Sequence, residues 1–274
     1  MTSMDREREV YPNAPVVLVA LEVRHPTADA ISPAQRLKIK RRLSAHVPIM
    51  RSGQLTQITA AMQTAGVPGS APDLRIEEFP RYFSRDNTVA VSMRAEAVVI
   101  EATRYGRWEH LRELVAEVLD ARQEVGGIDG VERVGLRYVD EIRVPGEPVH
   151  DWAPWVDPTL LGPAPIGEEL GLPVAQWQGI AVFTPGRDRT VVLRYGPRDG
   201  YAVDPGGELK RSIPTPGPFF LVDIDSFWTP GEGVPEFDIK TLLTTCDELH
   251  APVRRIFERL VTDRLREEVF RHVD

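Results

Sequence analysis

A chain of 274 residues, 42% hydrophobic and 27% charged, carries enough apolar side chains for one large core or for two halves sharing one, and it is not composed like a disordered protein. A formal charge of −8 and an isoelectric point of about 5.4 argue against binding nucleic acid through a general basic field, because such binding works by neutralising phosphates. The single cysteine, Cys246, excludes an intrachain disulfide and a thiolate zinc cluster, and reads as a buried thiol on a helix.

Residues 1–10 are polar and read as a frayed end. The opening MTSMDREREV lacks the apolar run of a signal peptide, and no stretch approaches the roughly 20 apolar residues of a membrane span, so the expected location is the cytoplasm. Abundant Arg and Pro with few Lys points to a GC-rich bacterial source. From Ala14 to Arg24 the chain reads as a buried strand stopped by His25-Pro26. Ser32, Pro33 and Gln35 then supply an N-cap, a first-turn proline and the third-position amide of a capping box, starting a helix that runs to about His46. The basic run 38–42 on that helix reads as its solvated face.

Residues 64–80 read as a mobile connection. Three short strands follow, at about 80–85, 88–93 and 97–103, with turns at Asp86-Asn87 and at 94–96. Trp108 to Arg122 is amphipathic at helical spacing, and Gly126-Gly127 ends it. Val131 to Val144 is a long strand. The stretch 145–173 holds seven prolines with Trp152 and Trp155, and reads as a connection pinned by two aromatics. Strands recur at about 176–184, 190–196 and 218–226. A helical region covers 236–271, with a kink or two abutting helices expected near Pro252.

This order gives a mostly antiparallel α+β fold covered by long helices on one face. It divides into an N-terminal half, 1–144, the connection 145–173, and a C-terminal β-β-β-α half, 174–274. The segments AVVIEATRYGRW and FFLVDIDSFWTP share an internal acid, an aromatic exit and a following helix, which suggests a duplicated β-β-β-α unit with pseudo-twofold halves.

Strand alternation carries the functional reading. Val134, Leu136, Tyr138 and Ile142 share one face of their strand; Arg137, Glu141 and Arg143 share the other. The same parity places Glu22, Glu101, Arg194, Asp223 and Asp225 opposite apolar faces. A face carrying these charges is wet or ion-paired, because unpaired buried charge is costly. It is either an ordinary solvated sheet face or a polar surface that receives a ligand or partner. His250, near Asp247 and Glu248 in the last helical region, is the histidine singled out as a candidate.

No phosphate-binding loop, dinucleotide fingerprint, H-E-x-x-H or nucleophile elbow occurs, and the six histidines have no metal spacing. Accordingly no catalytic residue, metal ligand or cofactor is assigned. Three blocks, YPNAPVVLVALEVRHP, WEHLRELVAEVLDA with VERVGLRYVDEI, and LHAPVRRIFERLVTDRLREEVF, nonetheless carry a resemblance. They are similar to blocks of a sporadically distributed family of uncharacterised bacterial proteins of comparable length. The matching steps here are Ala14-Pro15, Gly135-Leu136-Arg137-Tyr138, and Leu249-His250 with Phe257. Where that family's central strand has Asn, this chain has Asp140. The resemblance implies no activity; the family's patchy distribution implies mobile loci such as defence or specialised-metabolism clusters.

The sequence therefore favours a non-catalytic binding or assembly protein for a protein or peptide partner, able to form a homo-oligomer, with no membrane or nucleic-acid role. Its binding surface would be the polar sheet face (Glu22, Glu101, Arg137, Glu141, Arg143, Arg194, Asp223, Asp225) or the final helix at His250. The alternatives are a metal-dependent or hydrolase-like enzyme built on Glu101, Asp223 and Asp225 with Arg137, and a small-ligand sensor with a pocket between the halves.

Overall fold

The structure is a computed structural model and describes residues 9–59, 73–146, 151–172, 174 and 176–272. Its centre is one antiparallel sheet of nine strands: β1 (Val16–Arg24), β2 (Ile49–Thr59), β3 (Asp73–Phe83), β4 (Val89–Met93), β5 (Ala97–Ala102), β6 (Arg133–Ile142), β7 (Gly179–Gly186), β8 (Arg189–Gly200) and β9 (Gly217–Trp228). The strand order is β2-β3-β4-β5-β1-β6-β9-β8-β7. β1 and β6 thus lie side by side, with β2 to β5 on the β1 side and β9, β8 and β7 on the β6 side.

The helices are α1 (Pro33–Arg42), α2 (Trp108–Gln123), α3 (Ala164–Glu169) and α4 (Ile239–Leu260). Ser32 caps α1 as its sequence predicts: its hydroxyl accepts from the Gln35 N–H, and the Gln35 carbonyl oxygen accepts from the Ser32 N–H at 2.8 Å. The basic run beside it is solvated and paired, with Lys38 facing Glu124 and Arg42 facing Asp120 of α2. The predicted apolar stripe of α2, Leu111, Leu114, Val115, Val118 and Leu119, is buried. It meets Val19, Leu21, Ile100, Leu136 and their neighbours from one face of the sheet, and α4 adds Leu242, Cys246, Leu249 and Val253 to the same core. Asn87 takes a positive φ of 55°, as the tight turn between β3 and β4 requires.

Three expectations need correction. The first concerns the region before residue 80. The stretch 64–72 lies outside the described residues, as do 1–8, but from Asp73 the chain is strand, and β2 pairs with β3 along its whole length. Only Arg81, Tyr82 and Phe83 of β3 go on to pair with β4, so most of β2 and β3 is a two-stranded ribbon projecting past the sheet. Such a ribbon has little core to face, and its sequence lacks the apolar alternation of a buried strand.

The second concerns Pro252. Two abutting helices do not meet there: α4 runs from Ile239 through Pro252 to Leu260 as one helix, Val261 is extended and bridges Val156, and helical turns resume over Asp263–Leu265 and Arg266–Phe270. The third concerns the open face. The connection 201–216 between β8 and β9 lies over part of it, instead of leaving it wholly bare. Trp152 and Trp155 do pin the 145–173 connection: both are buried, Trp152 against Phe220 and Trp155 beneath Arg264. Among the described residues no helix is long and apolar enough to cross a membrane.

Candidate functional site

The sheet side away from the helices is built on the middle strands. Cross-strand partners share a face, so the register aligns Glu101, Ala20, Arg137 and Asp225 in one row and Val139, Asp223 and Arg194 in the next. Eight of the nine candidate residues lie on this side. Arg137 is at its centre, donating from Nε and Nη2 to the two carboxylate oxygens of Asp223 at 2.8 Å each. Arg194 approaches the same carboxylate at 3.7 Å from β8. One buried anion thus serves two cations, of which Arg137 is half-exposed (50% of its side chain against 4% for Asp223). A bidentate pair of this kind fixes the guanidinium plane, and the edge of Arg137 left open faces water.

Asp225, two residues on, behaves differently. It accepts no hydrogen bond among the described residues, and Arg133 stands 3.6 Å away. Burial raises its pKa above the ordinary carboxylate value, and the surrounding arginines only partly offset this. Glu22 is held by Arg24 at 2.7 Å and by Arg133 at 3.2 Å, and Arg133 lies over the Phe227 ring.

At the far end of this face the 201–216 connection closes over Glu141 and Arg143. Glu141 is almost fully buried; it accepts from Arg143 Nε at 2.8 Å and from the Ala202 N–H at 2.8 Å. Arg143 stacks on Phe219 and Tyr201. The connection then reaches Glu208, which pairs with Arg81, and Lys210, whose N–H donates to the Asn87 carbonyl. These two candidates are therefore anchors of a strap and are not open to a partner. Glu101 is also taken, by Arg81 at 2.8 Å. It stands three strands from β9, roughly 14 Å at the usual strand spacing. The convergence of Glu101 with Asp223 and Asp225 that the metal-dependent alternative needs does not occur, and no metal-holding cluster of His, Cys, Asp or Glu exists among the described residues.

His250 is the ninth candidate, and the structure puts it on the other side of the sheet, on α4 itself, facing Trp108 and Tyr138. Its ring stacks on Trp108 with centroids 4.5 Å apart, and its Nδ1 lies 3.1 Å from the Tyr138 hydroxyl. Tyr138 also reaches Tyr105 at 3.2 Å, and Trp108 Nε1 donates to Asp247, which holds Arg112 as well. Burial lowers the His250 pKa to about 4, and Arg254 nearby pushes the same way. The ring is neutral in the fold, so Nδ1 can accept. In the unfolded chain it would bind a proton below about 6.5. Its contribution to stability is thus complete above that value and lost as pH falls toward 4. We expect His250→Gln to flatten the acid side of a stability-against-pH curve. Unchanged steepness between pH 4 and 6.5 would contradict this.

A residue that alternation should have singled out lies nearby. Asp140 has the parity of Tyr138 and Ile142, so it points under the helices. It is buried, and burial, with the Asp223 charge behind it, raises its pKa to about 8 despite Arg254. The neighbouring cluster joins Tyr11, Glu258, Arg254 and Arg266: Tyr11 donates to Glu258 at 2.9 Å, and Arg254 pairs with Glu258 at 2.8 Å. Nothing in the strand's polar face foretold this second charged layer, but a lone Asp in an otherwise apolar register did signal it.

Compared with known proteins, the chain matches no protein-family model and no curated protein.

Proposed function

We propose that the protein is a non-catalytic binding protein and that the uncovered centre of its sheet receives an acidic segment of a protein or peptide partner. One observation carries this reading: Arg137 and Arg194 share the single buried carboxylate of Asp223 while 50% and 35% of their side chains stay exposed on adjoining parts of the sheet. Arg forks of this kind match carboxylates, and a rigid mounting lowers the entropy lost on binding. The bacterial, cytoplasmic setting and the resemblance to the sporadically distributed family belong to the same proposal. So does the duplication, whose support is the likeness of AVVIEATRYGRW and FFLVDIDSFWTP, each a strand that leads toward a helix.

The test is site-specific crosslinking in the source cell. A photoreactive residue at Thr190, on the same face as Arg194, should give a discrete adduct with an acidic protein. Arg137→Glu with Arg194→Glu should abolish the adduct while the fold, followed by circular dichroism, persists. No adduct at Thr190, or an adduct that survives the double charge reversal, would overturn the reading.

A further inference from the structure

A different part of the molecule carries an inference of its own. The sheet has two edges, and they differ in how they meet water. Edge strands display unpaired N–H and C=O groups, and proteins blunt them with charge, proline or short length. At one edge β2 is polar and carries Arg51. At the other, β7 lies in a run from 170 to 186 without one charged residue, in a chain that is 27% charged. Seven of the twelve large hydrophobics exposed among the described residues fall between 166 and 183. On β7 itself Ile180 and Val182 are 62% and 61% exposed on the open face, and Phe183 is 43% exposed on the helix side. Leu170 and Leu172, just before the strand, are more exposed still.

Monomers seldom expose a contiguous apolar patch of more than a few hundred Å². We infer that β7 is the interface of a homodimer, in which it pairs antiparallel with β7 of a second copy to join the two sheets. The choice of a second copy over a foreign strand rests on charge and symmetry. A net charge of −8 opposes self-association across most of the surface, and this uncharged edge is where that opposition is weakest. Antiparallel pairing of a strand with itself is a closed two-fold contact, so it ends at a dimer and does not propagate. Centred on Val182, it sets Val182 against Val182 and Phe183 against Ala181, with open-face and helix-side residues each meeting their own kind.

Light scattering coupled to size exclusion, at micromolar concentrations, should give twice the 30.7 kDa chain mass. Val182→Lys places two ammonium groups against each other at the axis and should return a folded chain of single mass. Ile213→Lys, at an exposed apolar position away from β7, should keep the dimer. Hydrogen exchange supplies a second readout: β7 amides should gain protection with protein concentration in the parent and not in Val182→Lys. A parent that stays monomeric, or a dimer unaffected by Val182→Lys, would overturn the inference. The double reversal Arg137→Glu with Arg194→Glu should leave the mass unchanged, so a failure here is separable from a failure of the binding reading.

Discussion

Asp140→Asn is expected to stabilise the protein by about 2–4 kcal/mol at pH 8 and by almost nothing near pH 4. The carboxyl sits on the helix side of β6, where burial lifts its pKa from the ordinary 3.8 to about 8. Between those values the folded chain keeps the proton and the unfolded chain has released it. Stability therefore falls as pH rises through that window and levels off above it. Each pKa unit is worth about 1.4 kcal/mol, so the rise from 3.8 to about 8 sets a ceiling of about 6 kcal/mol; accommodating an amide in place of a carboxylic acid takes back part of that. His250 slopes the other way, since its pKa is lowered to about 4 and its contribution is lost as pH falls from 6.5. The two effects oppose each other between about pH 4 and 6.5, and only the Asp140 decline continues to 8. Asn at this position should thus expose the His250 slope alone on the acid side and abolish the decline above it. Urea unfolding at a series of pH values measures both. A variant as pH-dependent as its parent above 6.5, or less stable at pH 8, would rule out a buried neutral carboxyl at Asp140.

How much of this was legible beforehand follows from which signals are local. Period-two alternation placed Arg137, Asp223, Asp225 and Arg194 on one face, because the parity of a strand needs no knowledge of its neighbours. The Ser32 cap and the apolar stripe of α2 were legible for the same reason. Strand order was not. Nothing near Glu101 says that two strands separate it from β9, so the supposed carboxylate cluster dissolved once the register was known. The strap over Glu141 and Arg143 is a loop contact made across the sheet between distant segments, and no periodicity encodes it. Strand β2 escaped because an edge ribbon with little core to face has little reason to be apolar. Asp140 is the instructive case. The parity that grouped Val134, Leu136, Tyr138 and Ile142 passes through residue 140, and following it without regard to residue type finds a carboxyl under the helices. His250 was singled out for its charged chain neighbours. Asp247 does belong to its surroundings, through Trp108, but the ring's direct contacts, Trp108 and Tyr138, come from elsewhere in the chain.

Asp223→Asn should destabilise the protein by about 1–3 kcal/mol, while Asp225→Asn should change it by no more than about 0.5 kcal/mol or stabilise it slightly. Treated as two solvated acids on one strand face, the pair would respond alike. The structure separates them. Asp223 is buried and gives both oxygens to Arg137, so an amide removes charge-assisted bonds from a site with little water to replace them. The loss stays below the 3–5 kcal/mol typical of a fully buried broken pair, because Arg137 is half-exposed and regains hydration. Asp225 already carries a desolvation penalty on its charged form and makes no compensating hydrogen bond among the described residues, so neutralising it removes a cost. Denaturant titration of both variants at neutral pH, with a double-mutant cycle between Asp223 and Arg137, isolates the pair. Equal effects at the two positions, or no coupling to Arg137, would mean that Asp223 is not the fixed anion around which the two arginines are arranged. The binding reading depends on that arrangement, since only a counter-ion held in the sheet keeps both guanidinium groups aimed outward at a partner.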